Sequence, residues 1–386
     1  MRVLLVEPWL DGSHRRWAEG YRAASAHDVE VIGLPGALWR WRLRGGALPL
    51  ADRVGAWVDD HGRPDVLLVG GLVDVAHLVG LTRRVLGPDV AVVTYQHESQ
   101  LVHPVGRDDQ EAALRNWLSW CASDLVVFNS GYHRRAVTEA LGPWLDRLPD
   151  RSHRTVADRV TARFDVVPVG VDPLRRPAGD ARPARSPDGP IILWPHRWER
   201  DKNPDVFAAA LGRVADAGLP FRLVLAGEEP TAGSERTVTA RAEVAERFGS
   251  AVVAVGPFDD DHYRRLVASA DIVVSCADHE FFGVAVVEAV GAGCVPLLPD
   301  DLSYPELIDA QWHDVALYRR GTFGSSLVAA VADHDRRRLD CAGLAATMDR
   351  FAWPAVAPAL DGRLERLLGA LRGGVAGRGG GDHDRC

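Results

Sequence analysis

The most informative stretch of the sequence is His279-Glu280-Phe281-Phe282-Gly283-Val284-Ala285-Val286-Val287-Glu288. It follows a strand-like apolar run at residues 271–276 and leads to Gly291 and Gly293, which predict the end of a short helix. This order of strand, glycine turn and helix places the backbone N–H groups of residues 282–285 at a helix start, where partial positive charge attracts a phosphate. The sequence therefore predicts an anion site at this turn.

Two glutamates flank the predicted anion site. Seven residues separate Glu280 from Glu288, so one carboxylate precedes the helix and the other lies about one turn inside it. Because carboxylates accept paired hydroxyl hydrogen bonds, this spacing suits a ligand with a central phosphate and hydroxyls at both ends, such as a nucleotide sugar. The alternative is that Glu280 interacts with the helix dipole and Glu288 lies on a solvated face.

Length and charge set the class of protein. A chain of 386 residues is long enough for two domains that each bury a core. The formal net charge of −8 argues against nucleic-acid affinity spread over the whole surface, although it allows a local basic face. Five scattered cysteines without a C-x-x-C pair indicate neither a disulfide framework nor a zinc knuckle.

The first apolar run ends too early for a signal peptide or a membrane span, because it reaches Glu7 and Pro8 at once. We therefore expect a cytoplasmic protein that does not associate with a membrane.

Apolar runs alternate with helix-capable segments along both halves of the chain. The predicted strands are residues 3–6, 29–34, 66–69, 90–95, 125–128, 166–169, 191–194, 223–226, 252–255, 272–275 and 295–298. This pattern predicts an α/β protein with two Rossmann-like doubly wound domains, residues 1–172 and 191–352, joined by a Pro- and Arg-rich linker at 173–190. A two-domain reductase would share the alternation, but no G-x-G-x-x-G motif opens either half.

The end of the chain is predicted to form one more helix and a tail. Residues 360–371 carry apolar residues at helical spacing, so we assign 353–372 to a helix that packs back on the first domain. The Gly-rich segment 373–386 is predicted to be disordered.

Lys202 is the only lysine of the chain. The rest of its 45 lysine and arginine residues are all arginine. It follows a predicted strand together with Arg197. A guanidinium can bind two phosphate oxygens at once while a compact ammonium supplies a point charge, so the pair suits a diphosphate. The alternative is a surface ion pair between Lys202 and Asp201.

Two loops of the first domain carry polar residues at the ends of predicted strands, where ligands of open sheets bind. Gln96-His97-Glu98-Ser99-Gln100 follows one strand, and Asp11-Gly12-Ser13-His14 follows another. Gly12 allows the backbone to approach a ligand, and Ser13 suits either a helix cap or a phosphate contact. For His97 the alternative is a structural imidazole.

Residues 38–44 alternate apolar and basic side chains. In an extended conformation Trp39 and Trp41 would fall on one side and Arg40 and Arg42 on the other, a combination that suits a nucleic-acid loop with unstacked bases. Tryptophans that cover a core edge beneath solvated arginines are the alternative.

The stretch 279–288 resembles the E-x7-E segment of retaining GT-B glycosyltransferases of family 4 (group 1). The wider run 275–305 looks more narrowly like the tRNA-queuosine mannosyltransferases, and the resemblance extends over nearly the whole chain up to Trp353. Segments 97–104, 194–204 and 279–306 carry it most strongly. One departure is Ser99, where that family is expected to carry asparagine.

The resemblance implies an activity and its substrates. It implies two domains facing a cleft, and transfer of mannose from GDP-mannose, with retained anomeric configuration and without a metal or other cofactor. The implied acceptor is the cyclopentenediol of queuosine in a tRNA anticodon loop, with tRNA-Asp as the expected tRNA. The residues themselves do not indicate the donor base, the choice of tRNA or the oligomeric state.

The residue patterns and the resemblance together predict the site. The predicted catalytic residues are His97, Arg197, Lys202 and Glu280. The predicted donor-binding residues are Gly12, Ser13, Arg197, Lys202, Phe281, Phe282, Gly283, Val284 and Glu288. The predicted acceptor-binding residues are His14, Trp39, Arg40, Trp41, Arg42, Glu98 and Gln100.

Two other functions share these features. One is a family 4 transferase that uses a nucleotide sugar and a small-molecule acceptor, and assays with and without queuosine in the tRNA distinguish it. The other is a noncatalytic RNA-binding protein on a degenerate GT-B scaffold, which failure to bind any nucleotide sugar would indicate.

Overall fold

The computed structural model describes residues 1–103, 110–150, 152–174, 187–227 and 235–378. The chain divides into two compact units. The first unit contains Met1–Gly170 and Trp353–Cys386, and the second unit contains Val171–Ala352.

The first unit is built on a parallel six-stranded sheet in the order β2-β1-β3-β4-β5-β6. Its strands are β1 (Arg2–Glu7), β2 (Asp28–Gly33), β3 (Val66–Gly70), β4 (Ala91–Gln96), β5 (Leu125–Phe128) and β6 (Phe164–Val166). Its helices up to this point are α1 (Gly12–Ala24), α2 (Trp39–Gly45), α3 (Ala47–His61), α4 (Val75–Leu86), α5 (Gln110–Ala122), α6 (Gly131–Leu145) and α7 (Ser152–Thr161). The central strands are continuous apolar runs because helices cover both faces of a parallel sheet.

The second unit repeats this architecture with the order β9-β8-β7-β10-β11-β12. Its strands are β7 (Ile191–Trp194), β8 (Arg222–Leu225), β9 (Val252–Val255), β10 (Ile272–Val274), β11 (Val295–Pro299) and β12 (Leu317–Tyr318). Numbered within the unit, this order is 3-2-1-4-5-6, which is the strand order of dinucleotide-binding folds. Its helices are α8 (Pro204–Asp216), α9 (Glu235–Arg247), α10 (Asp260–Ser269), α11 (Val284–Gly291), α12 (Tyr304–Leu307), α13 (His313–Ala316), α14 (Phe323–Ala332), α15 (His334–Asp340) and α16 (Leu344–Thr347).

The last helix, α17 (Trp353–Arg378), belongs to the first unit and is anchored there by a buried carboxylate. Asp361 accepts hydrogen bonds from the Tyr21 hydroxyl at 2.7 Å, the Ser25 hydroxyl at 2.7 Å and the Ala26 amide at 2.9 Å. These three donors fix the helix against the end of α1.

The chain enters and leaves the second unit at neighbouring residues. Val171 forms a parallel bridge with Ala352, and its amide donates to the Phe351 carbonyl at 2.9 Å. The second unit is therefore inserted between β6 and α17 of the first unit.

Two predicted boundaries are wrong. The strand predicted at 166–169 is β6 (Phe164–Val166), because Pro168 has no N–H with which to continue the ladder. The disorder predicted from Gly373 onward is wrong for residues 373–378, since α17 continues to Arg378. Residues 379–386 and linker residues 175–186 lie outside the described residues. Within the described part of the chain, no helix combines the length and the apolar character needed to cross a bilayer.

Candidate active site

In the second unit, strand order reverses between β7 and β10. These strands are neighbours in the sheet, but β8 lies beyond β7 and β11 lies beyond β10. Ligands of open α/β sheets bind outside the carboxyl ends of the strands at such a point. The loop after β7 carries Arg197 and Lys202, and the loop after β10 carries Glu280, so the structure brings these three predicted residues to the reversal.

Lys202 connects the two loops. Its ammonium donates to the His279 carbonyl at 2.6 Å and lies 3.2 Å from the Asp201 carboxylate and 3.5 Å from that of Glu280. The side chain is only 10% exposed. Burial on its own would lower the pKa of Lys202, but the carboxylates of Glu280 and Asp201 outweigh it and raise that pKa. A positive charge is therefore held at the end of the sheet.

Further hydrogen bonds hold the loops together. The Asp278 amide donates to the Asp201 carbonyl at 2.7 Å, and the Asn203 side-chain amide donates to the Cys276 carbonyl at 2.9 Å. Beneath them, Trp194 stacks on Phe207 with ring centroids 4.2 Å apart. The loop carrying Lys202 is thus fixed by packing from below and by hydrogen bonds from the side.

Arg197 is placed differently from Lys202. Its side chain is 53% exposed and its guanidinium lies 3.4 Å from the Glu199 carboxylate. It is close enough to Lys202 to act on the pKa of that ammonium as a like charge. The site thus has one buried cation and one solvent-facing cation, which matches a diphosphate that is partly enclosed.

The predicted helix start lies within residues 282–285. Gly283 is the N-cap with φ +99°, a left-handed conformation that favours glycine, and α11 starts at Val284. The Phe282 carbonyl before it accepts a hydrogen bond from the Ser303 hydroxyl. Phe281 and Phe282 have buried side chains, so they offer a ligand only backbone atoms.

Glu288 lies within α11 and is nearly buried. Its Oε2 accepts a hydrogen bond of 3.0 Å from the Tyr263 hydroxyl on α10. The structure therefore excludes the alternative in which Glu288 lies on a solvated face. Tyr263 was not among the predicted site residues, because only the packing of α10 beside α11 brings it to Glu288.

In the first unit, strand order reverses between β1 and β3, and a buried glutamate lies at this point. Glu7, the last residue of β1, has no exposed surface. It accepts from the Trp9 amide at 3.0 Å, lies 3.1 Å from His14 Nδ1 and 3.6 Å from His97 Nε2. The two imidazole rings are 4.2 Å apart. The structure thus brings predicted residues His14 and His97 together around a carboxylate that was not predicted.

The charges in this cluster follow from burial and contact. Burial would raise the pKa of Glu7, but His14 and then His97 outweigh it and lower that pKa to about 2. Burial lowers the pKa of His97 to about 4. At neutral pH Glu7 is therefore ionised and His97 neutral. These three residues are also the group of potential metal ligands that converges among the described residues.

The predicted contacts around this cluster have defined places. Gly12 and Ser13 lie in the first turn of α1, not in a loop before it, because Asp11 caps the helix by accepting from the Gly12 amide. Ser13 is therefore not the N-cap. The Gln100 side chain donates to the Glu98 carboxylate at 3.0 Å.

The extended conformation predicted for residues 38–44 is wrong. Trp39–Gly45 forms α2, a helix in which side chains two positions apart do not share a face. The Arg40 guanidinium lies over the Trp39 ring at 4.6 Å, and Arg42 donates to the Pro35 carbonyl. Trp41 remains 60% exposed, so one of the two predicted stacking groups is accessible.

Two family models match the chain. Residues 2–171 match tRNA-queuosine alpha-mannosyltransferase N-terminal, and residues 177–313 match Glycosyl transferases group 1. A tRNA-queuosine alpha-mannosyltransferase of Drosophila melanogaster is 32% identical over 319 residues, which cover 79% of this chain and 81% of that protein. A GDP-mannose-dependent alpha-(1-6)-phosphatidylinositol dimannoside mannosyltransferase of Mycobacterium tuberculosis is 29% identical over 97% of this chain and 86% of its own length.

Solved structures share the fold. A sucrose-phosphate synthase from Thermosynechococcus elongatus superposes with a TM-score of 0.71 at 16% identity, over 96% of this chain and 100% of that chain. A glycosyltransferase from Rickettsia africae gives a TM-score of 0.67 at 14% identity, over 95% and 98% of the two chains. These likenesses concern the fold alone, and with the two parallel sheets they confirm the predicted GT-B class.

Proposed function

Because the chain belongs to the tRNA-queuosine alpha-mannosyltransferase family, we propose that it transfers mannose from GDP-mannose to the cyclopentenediol of queuosine in a tRNA anticodon loop. The anomeric configuration is retained in this reaction. The first acceptor to test is tRNA-Asp. Such a reaction takes place in the cytoplasm, where mature tRNA and nucleotide sugars meet.

The contact between Lys202 and the loop after β10 supports the donor half of the proposal most directly. It places a buried ammonium at the strand-order reversal, beside Glu280 and the residues that lead into α11. A diphosphate bound there contacts Arg197, Lys202 and the amides of Gly283 and Val284, whose N–H groups have no acceptor within the helix.

The same groups stabilise the leaving group. As the bond between C1 of mannose and the phosphate oxygen breaks, its electron pair stays on GDP and negative charge grows on the diphosphate. Cations and helix amides fixed in advance lower the energy of that charge without reorganisation. In this proposal they take the place of a divalent metal, and none is required.

The two glutamates bind the ends of the donor. Glu280 accepts hydrogen bonds from mannose hydroxyls, and Glu288 accepts them from the ribose diol, with its second oxygen held by Tyr263. Glu280 precedes the start of α11 and Glu288 follows it. The donor likewise carries hydroxyl groups on both sides of its diphosphate, on the mannose and on the ribose.

The acceptor half is assigned to the first unit. As the family resemblance implies, we assign His97 to contact with the sugar, and Gly12 and Ser13 to contact with the donor phosphates. His14, Glu98 and Gln100 contact the queuosine diol. Helix α2 binds the anticodon loop with Trp39, Arg40, Trp41 and Arg42, of which exposed Trp41 stacks on a base.

One assay tests this proposal. The enzyme is incubated with labelled GDP-mannose and either queuosine-containing tRNA or the same tRNA lacking queuosine, and the tRNA is analysed by gel shift and mass spectrometry. We expect addition of one hexose to the queuosine-containing tRNA alone, in a linkage that an α-mannosidase removes. UDP-sugars and other GDP-sugars serve as competing donors. Binding of a nucleotide sugar without transfer to either tRNA would instead support a small-molecule acceptor.

A further inference from the structure

The guanidinium of Arg320 joins three loops of the second unit at the carboxyl ends of their strands. Arg320 lies two residues after the end of β12. Its Nε donates to the Asp301 carboxylate, after β11, at 2.5 Å, and its Nη1 donates to the Asp278 carboxylate, after β10, at 2.9 Å. The loop after β10 includes segment 278–282, the Glu280 loop. One side chain therefore ties the Glu280 loop to two neighbouring loops.

The stability of the whole unit is not a sufficient reason for this arrangement. The side chains of Arg320, Asp278 and Asp301 are 41%, 55% and 45% exposed. Ion pairs at such exposure contribute little to the free energy of unfolding, because water screens them and ordering the side chains costs entropy. A planar guanidinium that reaches two carboxylates on different loops does fix how those loops lie against each other. The consequence of the network is therefore local order at this edge of the sheet.

The upstream end of the Glu280 loop is fixed at Asp278. The Asp278 carboxylate accepts from Arg320, which also donates to the Ala277 carbonyl just before it at 3.4 Å. The Asp278 amide donates to the carbonyl of Asp201 at 2.7 Å. This end of the loop is thus tied on one side to the residues after β12 and on the other to the residues after β7.

The downstream end of the Glu280 loop is fixed at Phe282 by the turn after β11. The Phe282 carbonyl accepts from the buried Ser303 hydroxyl at 2.9 Å. Before Ser303, Leu302 has φ +60°, a left-handed conformation that costs free energy for a residue with a Cβ. Asp301 holds this turn, since its Oδ1 accepts from the Leu302 amide at 2.7 Å while its Oδ2 accepts from Arg320. The same guanidinium therefore supports both ends of the loop.

We propose that Arg320 is a positioning residue for the donor, which holds the Glu280 loop at both ends and so places the Glu280 carboxylate against hydroxyls of the transferred sugar. This inference rests on the proposed function for the identity of that sugar. A carboxylate that is held in place before the ligand binds loses less conformational entropy on binding. The diphosphate contacts depend less on Arg320, because the loop that carries Lys202 is packed from below by Trp194 and Phe207.

Hydrogen exchange in the ligand-free full chain tests the hold on the loop. In Arg320→Ala, we expect exchange of the Asp278 amide and of the Glu280 loop to be faster by about tenfold, while exchange in β10 stays unchanged. Mass spectrometry of peptides that contain Asp278 measures it. Arg319→Ala removes the exposed cation next to Arg320 and is the matched control, which should leave exchange unchanged. Unchanged exchange in Arg320→Ala overturns the proposal.

Titration calorimetry with two ligands tests the role of the loop in sugar binding. Arg320→Ala should weaken binding of GDP-mannose about tenfold and binding of GDP less than about twofold, because GDP lacks the sugar that Glu280 contacts. Arg319→Ala should change neither affinity. A general loss of stability would weaken both ligands alike, so equal losses for GDP and GDP-mannose overturn the proposal.

A double-mutant cycle tests whether Arg320 acts through Glu280. In a Glu280→Ala background, Arg320→Ala should weaken binding of GDP-mannose less than about twofold, because the carboxylate that it positions is gone. A tenfold loss that persists in this background overturns the proposal.

Failure of the proposed function gives a different result. A wild-type protein that binds GDP but not GDP-mannose contradicts the proposed donor. The exchange measurement needs no ligand, so it still decides whether Arg320 holds the Glu280 loop.

Discussion

Lys202 Nζ lies 3.5 Å from Glu280 Oε2, a contact that joins the loop after β7 to the loop after β10. The ammonium also donates to the His279 carbonyl and lies beside Asp201, so it has polar partners before any ligand binds. A diphosphate oxygen would therefore compete with these partners for the ammonium. The same cation holds the site together and, in the proposed reaction, receives the leaving group.

Lys202→Ala should lower the rate of transfer by about 10²–10³-fold, the loss expected when a fixed donor to a developing charge is removed. Glu280 and Asp201 would remain as carboxylates without their buried cation, which should cost about 3 kcal/mol of unfolding free energy while the fold persists. Single-turnover assays and urea unfolding measure the two effects.

Arg200→Ala is the control for that substitution, because Arg200 lies exposed in the same turn. It should leave both transfer and stability unchanged. Substantial turnover by Lys202→Ala would remove the diphosphate role from Lys202.

Tyr263→Phe should weaken GDP binding about tenfold, as expected for the loss of a hydrogen bond to a carboxylate that orients it. Transfer at saturating donor should change little. Titration calorimetry with GDP gives the affinity. Arg265→Ala, an exposed residue of the same helix, serves as control, and equal affinities for all three proteins would contradict a role for Tyr263.

Trp41→Ala should weaken tRNA binding about tenfold through the loss of base stacking, without altering the affinity for GDP. Leu81→Ala removes another exposed apolar side chain of the first unit, 52% exposed on α4, and should leave tRNA binding unchanged. Filter binding at fixed salt compares them. Equal losses in both variants would indicate a general surface effect instead.

Acid should destabilise the protein between about pH 6.5 and 4. Burial lowers the pKa of His97 and His196 to about 4 and that of His133 to about 3. Below pH 6.5 these histidines bind protons in the unfolded chain but not in the folded chain. The free energy of unfolding therefore decreases as the pH is lowered, by up to about 1.4 kcal/mol per pH unit for each histidine. Urea unfolding at pH 7 and pH 5 measures this slope.

His133→Phe should reduce that slope by about one third, since it removes one of the three buried titrating groups. A slope that does not change would show that proton uptake on unfolding occurs elsewhere.

Asp361→Asn should destabilise the protein by about 2 kcal/mol, because three donors surround the two carboxylate oxygens and the amide nitrogen that replaces one of these oxygens cannot accept from the donors facing it. Thermal unfolding measures the loss. Asp65→Asn is the comparison. Asp65 is paired with the exposed Arg372 of α17, so this substitution should lower the free energy of unfolding much less.

The strands and the β7 and β10 loops could be predicted because their determinants are local. Parallel strands buried on both faces appear as continuous apolar runs, and the segments that contain Lys202 and Glu280 each follow such a run. The hydrogen bond from the Ser303 hydroxyl to the Phe282 carbonyl could not be predicted, since Ser303 comes from a segment beyond the next strand.

Glu7 and Tyr263 escaped prediction for the same physical reason. Each acts on a residue brought to it by the fold: Glu7 on a histidine that follows a strand two places away, Tyr263 on a glutamate of the next helix. The error at α2 has another origin. Alternating tryptophan and arginine has the period of a strand, but a seven-residue segment of this composition also forms a helix.

The bridge between Val171 and Ala352 makes the second unit an insert whose two ends coincide. Gly170 already packs against the Trp353 ring, so a short peptide joining these two residues would close the first unit without its insert. The excised 171–352 fragment would retain the predicted donor-binding residues from Arg197 to Glu288, whereas Gly12 and Ser13 would stay with the first unit. Binding of GDP-mannose to that fragment alone would therefore measure how much of donor recognition the second unit supplies.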